Sequence, residues 1–243
     1  YTGDFRITDN TGSGNTNNFI RLAGYLKGSV KLGTSNGLEW VFEEPPYVSA
    51  GATWTVGPDE VIKLRNHGAI NVYGSLLADN TADHPAVFTH FNDNEYGHAI
   101  GSGSPVRGAW EGIYVKPGAT AVFDHAVIRY GGETASVSYA YALVRVDEGA
   151  SLTLTNSTLE HSAQYGVYVD GIEEQAILNN TIQDCASYGI YIYDSDTDTL
   201  PTSPEIRGNI LNTNSYPIYI YSYDGYTGDF RITDNTGSGN TNN

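Results

Sequence analysis

The sequence predicts an all-β protein whose short strands stack in successive coils of one solenoid, and three observations lead to this fold class. Gly, Asn, Thr, Ser and Asp interrupt short runs of Val, Ile, Leu and Tyr along the whole 243-residue chain. No stretch keeps the 3.6-residue period of an amphipathic helix. A strand–turn–strand unit recurs in the second half, and an 18-residue segment occurs twice without change, so repetition organises the chain.

The shorter repeat is clearest in three segments, HSAQYGVYVDG from His161, DCASYGIYIYD from Asp184 and NTNSYPIYIYS from Asn212. They bring Val167, Ile190 and Ile218 into register. Equivalent residues of stacked coils lie about 4.8 Å apart. Because side chains alternate along a strand, we expect these aliphatic residues to point inward and the intervening tyrosines outward. A turn asparagine precedes each segment, and Asn156, Asn180 and Asn209 are expected to be equivalent.

The longer repeat joins the two ends of the chain. Tyr1–Asn18 and Tyr226–Asn243 are identical and are 225 residues apart. We therefore expect residues 1–225 to form one unit and residues 226–243 to begin the next identical unit. An artificially duplicated end segment is the alternative. Nine or ten coils per period would give a rod segment on the order of 45 Å long.

The seam between units shows no linker in the sequence. Ile20 and Leu22 are expected to take the inward positions of Ile218 and Ile220, and Asn235 is expected to take the turn position of Asn209. The two copies should then adopt equivalent coils on one axis.

The first half resembles a known family. Between about Ala52 and Gly132, the phrases ATWTVGPDEVIKL, NVYGSLLADNTADHPAVFTHFND, WEGIYV and HAVIRYGG are similar to those of large bacterial and archaeal extracellular proteins with right-handed parallel β-helix repeats. Asp59 departs from the pattern, where that family often has Gly. The resemblance implies a right-handed parallel β-helix of about nine to ten coils in an extracellular or cell-surface protein. It does not imply one function, since the fold hosts lyases, hydrolases, adhesins and inert rods.

Catalytic residues are not evident. Glycan hydrolysis needs paired carboxylates facing one groove, and the Asp-Asp, Gly-His-Gly and Arg-Ile-Lys motifs of the hydrolases with this fold do not occur. The basic residues that could serve a lyase are expected to be scattered and solvated; they are Lys63, Arg65, Arg129 and Arg207. We therefore expect a non-enzymatic protein, with a polysaccharide lyase or hydrolase as an alternative.

A calcium site is the metal hypothesis. Asp194, Asp196 and Asp198 alternate, and Glu205 stands at the twelfth position, as in a calcium-binding loop. Thr199 at the sixth position, two prolines and flanking strands exclude an EF-hand, but the carboxylates could still collect a calcium ion. A solvated acidic insertion is the alternative. Asp93 and Glu95 form a second, weaker acidic loop.

The 19 tyrosines suggest a surface. The predicted outward ladder contains Tyr168, Tyr191 and Tyr219, with Tyr193 and Tyr221 beside it. Such a ladder stabilises a sheet by cross-strand stacking, or it forms an interface with neighbouring filaments or glycans.

Charge and composition exclude several other classes. A formal net charge of −16 argues against nucleic acid as a partner. No apolar run is long enough to span a membrane, and the single Cys185 cannot form an internal disulfide. We therefore expect a structural fibre or stalk module with identical units end to end, and the alternatives are an adhesin and an enzyme.

Overall fold

The computed structural model describes residues 5–33, 38–44, 46–65, 68–133, 141–171, 175–194, 204–223 and 230–242. Every regular element in these ranges is a β-strand, which confirms the predicted fold class. None of these ranges contains a helix with the length and apolar character that a membrane crossing requires. The strands are β1 (Phe5–Ile7), β2 (Phe19–Leu22), β3 (Tyr25–Leu26), β4 (Ser29–Leu32), β5 (Glu39–Phe42), β6 (Tyr47–Val48), β7 (Thr53–Val56), β8 (Val61–Leu64), β9 (Ala69–Val72), β10 (Ser75–Asp79), β11 (Ala86–His90), β12 (Gly112–Val115), β13 (Thr120–Asp124), β14 (Ala126–Arg129), β15 (Ala142–Val146), β16 (Ser151–Thr155), β17 (Thr158–Glu160), β18 (Tyr165–Asp170), β19 (Ala176–Leu178), β20 (Thr181–Gln183), β21 (Tyr188–Asp194), β22 (Glu205–Arg207), β23 (Ile210–Asn212), β24 (Tyr216–Ser222), β25 (Arg231–Thr233) and β26 (Thr236–Ser238).

These strands form three parallel sheets that run the length of the molecule. The first sheet has the order β1-β4-β7-β10-β13-β16-β19-β22-β25, and the second has the order β2-β5-β8-β11-β14-β17-β20-β23-β26. The third, with eight strands, runs β24-β21-β18-β15-β12-β9-β6-β3. Each coil contributes one strand to each sheet, so the chain forms a parallel β-helix of about nine coils, as predicted.

The core lies between the three sheets and follows the predicted inward column. Val167 pairs with Ile190, and Ile190 pairs with Ile218. Val167 and Ile190 are fully buried, and Ile218 packs against the core from the last complete coil. The alternation of aliphatic and tyrosine residues therefore places the aliphatic side chains inside, which confirms that prediction.

Asparagine side chains fill one turn of successive coils. The backbone N–H of Asn180 donates to Asn209 Oδ1 at 2.9 Å, and the backbone N–H of Asn209 donates to Asn235 Oδ1 at 3.0 Å. Asn235 is therefore equivalent to Asn209, as predicted. The expected equivalence of Asn156 is wrong: Asn156 is exposed with a φ of 50°, and Ser157 donates its N–H to Asn180 in its place. Asn156 instead matches Asn179, whose φ is 57°.

A second ladder occupies the next turn. Asn214 Oδ1 accepts the backbone N–H of Cys185 at 3.0 Å, and Asn240 Oδ1 accepts that of Asn214 at 2.9 Å. The side-chain amides of Asn214 and Asn240 donate to the carbonyls of Ile182 and Leu211. Both ladders satisfy backbone groups at turns, where the chain leaves the sheet hydrogen-bonding pattern.

The two copies of the repeated segment lie at opposite ends of the first sheet, as strands β1 and β25. Asp9 and Asp234 follow with φ of 58° and 57°, and Gly14 and Gly239 with φ of 70° and 67°. The copies then differ. Thr236–Ser238 forms the second-sheet strand in the later copy, whereas Phe19–Leu22 occupies that sheet in the first. Full equivalence of the two copies was therefore a wrong prediction.

The asparagines of the two copies also have different partners. The later copy lies on a complete coil, whose ladder residues bind Asn235 and Asn240. In the first copy, Asn10 donates to its neighbour Thr8 and Asn15 donates to Asn18. Ile20 and Leu22 pack against the core, as Ile218 and Ile220 do, so their inward orientation is confirmed. Their sheet was predicted wrongly, because Phe19–Leu22 pairs with β5 in the second sheet and not in the third.

The number of coils per period is smaller than expected. The first sheet has nine strands, and the ninth, β25, belongs to the second copy. One 225-residue period therefore holds eight coils, and its length along the axis is about 38 Å rather than 45 Å.

Candidate functional site

The tyrosines lie on the outer face of the third sheet. Tyr168 pairs with Tyr191, and Tyr191 pairs with Tyr219. A parallel column joins Asp170, Tyr193 and Tyr221. The side chains of this face pack together as a cluster separate from the main core. The register that the sequence predicted for these tyrosines is thus the register of the strands.

Exposure along this face changes from coil to coil. Tyr168 is only 7% exposed, because Tyr165, Tyr191 and the Arg145 guanidinium cover it. Tyr219 and Tyr221 are exposed, and they lie on the last strand of the third sheet. Tyr168 therefore lies on the outer face, as predicted, but neighbouring side chains bury it. Burial raises the pKa of Tyr191 to about 12, with the neighbouring tyrosines adding to the effect, so the Tyr191 phenol stays neutral at ordinary pH.

The rings stack mainly along the axis of the helix. Tyr193 and Tyr221 stack with centroids 5.5 Å apart and planes at 7°, and Tyr188 and Tyr216 stack at 5.0 Å and 26°. Rings stacked in this way direct their faces at one another and their edges at solvent. A sugar ring needs a free aromatic face, so these stacked pairs fit sheet stabilisation better than glycan binding.

A polar cluster covers the outer face of the second sheet. The segment 91–111, between β11 and β12, folds back over this face. Lys63, which is fully buried, donates from Nζ to the carbonyls of Asp93 and His98, both at 2.8 Å. Burial lowers the pKa of Lys63, against the attraction of Glu39 and Asp93. Lys63 therefore holds the segment onto the sheet. The expectation that Lys63 is solvated was wrong, because its side chain is buried.

Arg129 is the centre of the same cluster. It is 3% exposed, and its guanidinium contacts Glu95 at 2.8 Å, Glu160 at 3.2 Å and Asp93 at 3.6 Å. Burial lowers the pKa of Arg129, but the Glu95 hydrogen bond and the charges of Asp93 and Glu160 outweigh it, so the net direction is upward. Sequence reasoning missed this cluster because Lys63, Thr89 and Arg129 are far apart in the chain and meet only through strand register.

The weaker acidic loop, Asp93 and Glu95, supplies carboxylates to this cluster. Asp93 is buried, and its Oδ2 accepts a hydrogen bond from Thr89 Oγ1 at 2.6 Å. Glu95 is largely exposed and pairs with Arg129. Both carboxylates thus have protein partners. Within the described residues, no group of three or more His, Cys, Asp and Glu side chains is arranged to hold a metal ion.

Two of the four residues in the calcium hypothesis are visible. Asp194 ends β21 in the third sheet and accepts a hydrogen bond from Ser222 Oγ at 3.0 Å. Glu205 begins β22 in the first sheet and pairs with Arg207 at 3.2 Å. Asp196 and Asp198 lie outside the described residues. Calcium binding stays a prediction.

Among the described residues, a cavity of about 140 Å³ brings several titratable side chains together. Its lining includes Glu39, Glu60, Asp59 and His98. Glu39 accepts hydrogen bonds from the backbone N–H and ring nitrogen of His98, both at 2.6 Å. Burial raises the pKa of Glu60 to about 8, against the hydrogen bond from Gly57 and the charge of Lys31. The cavity is smaller than the roughly 300–1,000 Å³ of typical ligand pockets.

A second, open cleft of about 430 Å³ lies between the covering segment and the start of the chain. It is lined by Asn17, Phe19, Arg65, His90, Phe91, Asn92, Ile100 and Ser102. The Arg65 guanidinium stacks over Phe91 and forms an ion pair with Glu43, which neutralises its charge. Arg207 pairs with Glu205. The four basic residues considered for a lyase therefore do not converge on one groove.

The comparisons with known proteins agree with this architecture. No curated protein and no solved structure matched the chain. The family described as the right-handed β-helix region matches residues 89–243, which is more than half of the chain and includes the asparagine ladders and the tyrosine face. The chain therefore belongs to the right-handed β-helix family.

Proposed function

We propose that this chain is a non-enzymatic structural module of an extracellular rod, in which identical units follow one another along one β-helix axis. The observation that carries the proposal is the place of the repeated segment. Its two copies supply the first and last strands of the same sheet, at opposite ends of the molecule. A unit that ends with the first strand of its successor is suited to continuous extension.

The side chains of the last coils support this function. Asparagine ladders and stacked tyrosines connect each coil to its neighbours along the axis. Nearest-neighbour contacts of this kind stabilise a solenoid in proportion to its number of coils. The length of the rod then increases with each added unit.

An adhesin is the second candidate, because Tyr219, Tyr221 and Tyr223 are exposed on one coil, with Tyr223 at 70%. Exposed aromatic groups often mark contact surfaces. A screen of the chain against a panel of glycans tests this candidate, with Tyr223→Ala as the variant that should lose any binding. Glycan binding that the tyrosine variant abolishes would favour the adhesin.

The rod itself is tested with chains of one, two and three units. Each added 225 residues should lengthen the particle by about 38 Å at constant cross-section, measured by small-angle X-ray scattering and electron microscopy. Particles that resemble flexibly linked beads, with an unchanged length per bead and variable angles between beads, would contradict the proposed function.

A further inference from the structure

Two outward columns of side chains run next to each other along the third sheet. The first column follows the strand register through Tyr114, Arg145, Tyr168, Tyr191 and Tyr219. The second column lies two residues further along the chain in each coil and consists of Lys116, Asp147, Asp170, Tyr193 and Tyr221. The coils of β12, β15, β18, β21 and β24 each present one residue from each column, and we call these two columns the paired face.

The paired face carries no formal net charge, although the chain is strongly acidic. Its basic residues are Lys116 and Arg145, and its acidic residues are Asp147 and Asp170. All four are partly exposed. The formal net charge of the whole chain is −16, so the excess of negative charge lies on other surfaces. A second copy that docks through the same face therefore meets no excess of like charge there.

The two residues that a coil presents are also complementary to each other. Arg145 Nε lies 2.6 Å from Asp147 Oδ1 in the same coil, and its guanidinium lies over the rings of Tyr114 and Tyr168. Lys116 Nζ lies 5.1 Å from the centre of the Tyr114 ring. A guanidinium has five N–H donors and an ammonium has three. Both cations can therefore bind a carboxylate or a ring of a second copy and keep their contacts inside the chain.

We propose that two copies of this chain associate side by side, pointing in the same direction, through their paired faces. The twofold axis lies in the interface and runs parallel to the β-helix axis. It reverses the strand direction across the interface, so the first column of one copy faces the second column of the other. Arg145 then lies opposite Asp147 of the second copy, and Tyr168 lies opposite Asp170 of the second copy. This lateral contact goes beyond the end-to-end rod proposed above.

The area of the paired face predicts a weak contact between single chains. Five coils at a spacing of about 4.8 Å, with strands about 20 Å long, cover about 480 Å² per copy. A standard interface covers roughly 800 Å² per partner. In rods of joined units, the paired face recurs every 225 residues, so two rods in parallel register form several such contacts at once and bind more tightly.

The first test exchanges charges between copies. Arg145→Glu alone and Asp147→Lys alone each place like charges opposite each other, and each should weaken dimerisation about tenfold or more. Analytical ultracentrifugation measures this change in magnesium, which screens the charge on the other surfaces. Mixing the two variants brings opposite charges together at both contacts, so the mixture should form a heterodimer about as stable as the original dimer. A variant that merely unfolds cannot be rescued in this way.

Arg207→Glu and Glu205→Lys are the matched controls. This basic and acidic pair also lies two residues apart on one strand, with Arg207 Nε 3.2 Å from Glu205 Oε1, but β22 belongs to the first sheet. These two variants should dimerise like the unsubstituted chain. Equal weakening by the control variants would show that the overall charge, and not the paired face, governs association, and it would overturn the proposal.

Cysteine cross-linking tests the orientation of the two copies. In the proposed dimer, Tyr191 lies opposite Tyr193 of the second copy, so a mixture of Tyr191→Cys and Tyr193→Cys chains should form a disulfide-linked dimer under mild oxidation. Cys185 is buried and should stay reduced. A mixture in which dimers form without this disulfide would overturn the parallel orientation.

A chain of two joined units provides the most sensitive test of the contact. It should dimerise about a hundredfold more tightly than one unit. A two-unit chain that stays monomeric in magnesium overturns the proposal, as does a mixture of Arg145→Glu and Asp147→Lys chains that stays monomeric. Neither result changes the rod length of joined units, so the lateral contact and the rod function fail separately.

Discussion

The backbone N–H of Asn180 donates to the side-chain oxygen of Asn209 at 2.9 Å, and the Asn209 amide donates in turn to the carbonyl of Ile177 at 2.8 Å. One fully buried side chain thus satisfies groups on the coil before it, while its own backbone N–H is satisfied by Asn235 on the coil after it. Each coil therefore relies on the next coil's asparagine to satisfy its buried backbone groups.

Replacing Asn209 should be costly for this reason. Asn209→Ala leaves the N–H of Asn180 and the carbonyl of Ile177 buried without their partner, which should lower the free energy of unfolding by about 2–4 kcal/mol. Denaturant unfolding measures this change. Asn15→Ala is the matched control, because Asn15 is exposed and, within the described part of the chain, its side chain bonds to Asn18 alone. This variant should change stability by less than about 0.5 kcal/mol. Equal effects of the two variants would contradict the ladder's role.

The buried carboxyl of Glu60 should make stability depend on pH. Burial raises its pKa from 4.5 to about 8, so the folded chain binds a proton that the unfolded chain releases between these values. The contribution of Glu60 to the free energy of unfolding is therefore fully present below pH 4.5. It is lost as the pH rises through about 8. Glu60→Gln should therefore raise the free energy of unfolding at pH 8.5 by about 1–3 kcal/mol relative to its effect at pH 5.

Unfolding curves at several pH values check this prediction. Asp79→Asn is the control, since Asp79 is exposed at the end of β10 and its substitution should leave the pH dependence unchanged. A Glu60→Gln variant with the same pH dependence as the original chain would show that Glu60 is ionised in the folded protein.

Calcium should stabilise the chain through the acidic loop. If Asp194, Asp196 and Asp198 bind calcium in the folded state only, a calcium concentration 100 times the dissociation constant would add about 2.7 kcal/mol and raise the melting temperature. Calorimetry in millimolar calcium and in EDTA measures the difference. Asp196→Asn with Asp198→Asn should remove it, and Asp79→Asn should not. Identical melting curves in calcium and EDTA would reject the site.

Charge should control how rods associate. The second copy of the segment carries Asp229, Asp234 and Arg231, so one period holds 15 of the net negative charges. Over about 38 Å, this is roughly one charge every 2.5 Å, compared with about one per 1.7 Å on duplex DNA. Parallel rods should repel at low salt and form lateral bundles when divalent cations are added.

Multi-unit chains viewed by electron microscopy, with light scattering in parallel, test this behaviour. Bundles should appear with magnesium as well as with calcium, because screening does not require a specific site. Bundles that form equally well at low salt in EDTA would show that charge does not oppose association.

The sequence alone determined the parts of this protein that depend on local repetition. The alternation around Val167, Ile190 and Ile218 predicted the inward column and the tyrosine register, because side chains alternate along any strand and stacked coils repeat their environment. The identical segments predicted that the two ends of the chain are related. The lack of helical periodicity predicted an all-β chain, and the net charge argued against nucleic acid as a partner, which stays a prediction.

Only the tertiary structure decided which turn residue entered a ladder and which basic residues were buried. Asn156 and Ser157 are adjacent, and a left-handed backbone at Asn156 turns Ser157 inward, which no spacing rule reveals. Lys63 and Arg129 are 66 residues apart in the sequence, and they share a polar cluster because a long segment folds over their sheet. In the later copy of the repeated segment, Thr236–Ser238 forms a second-sheet strand on the coil before it, whereas at the start of the chain that sheet's strand is Phe19–Leu22, which follows the segment. Contacts with neighbouring coils, not local sequence, selected these conformations.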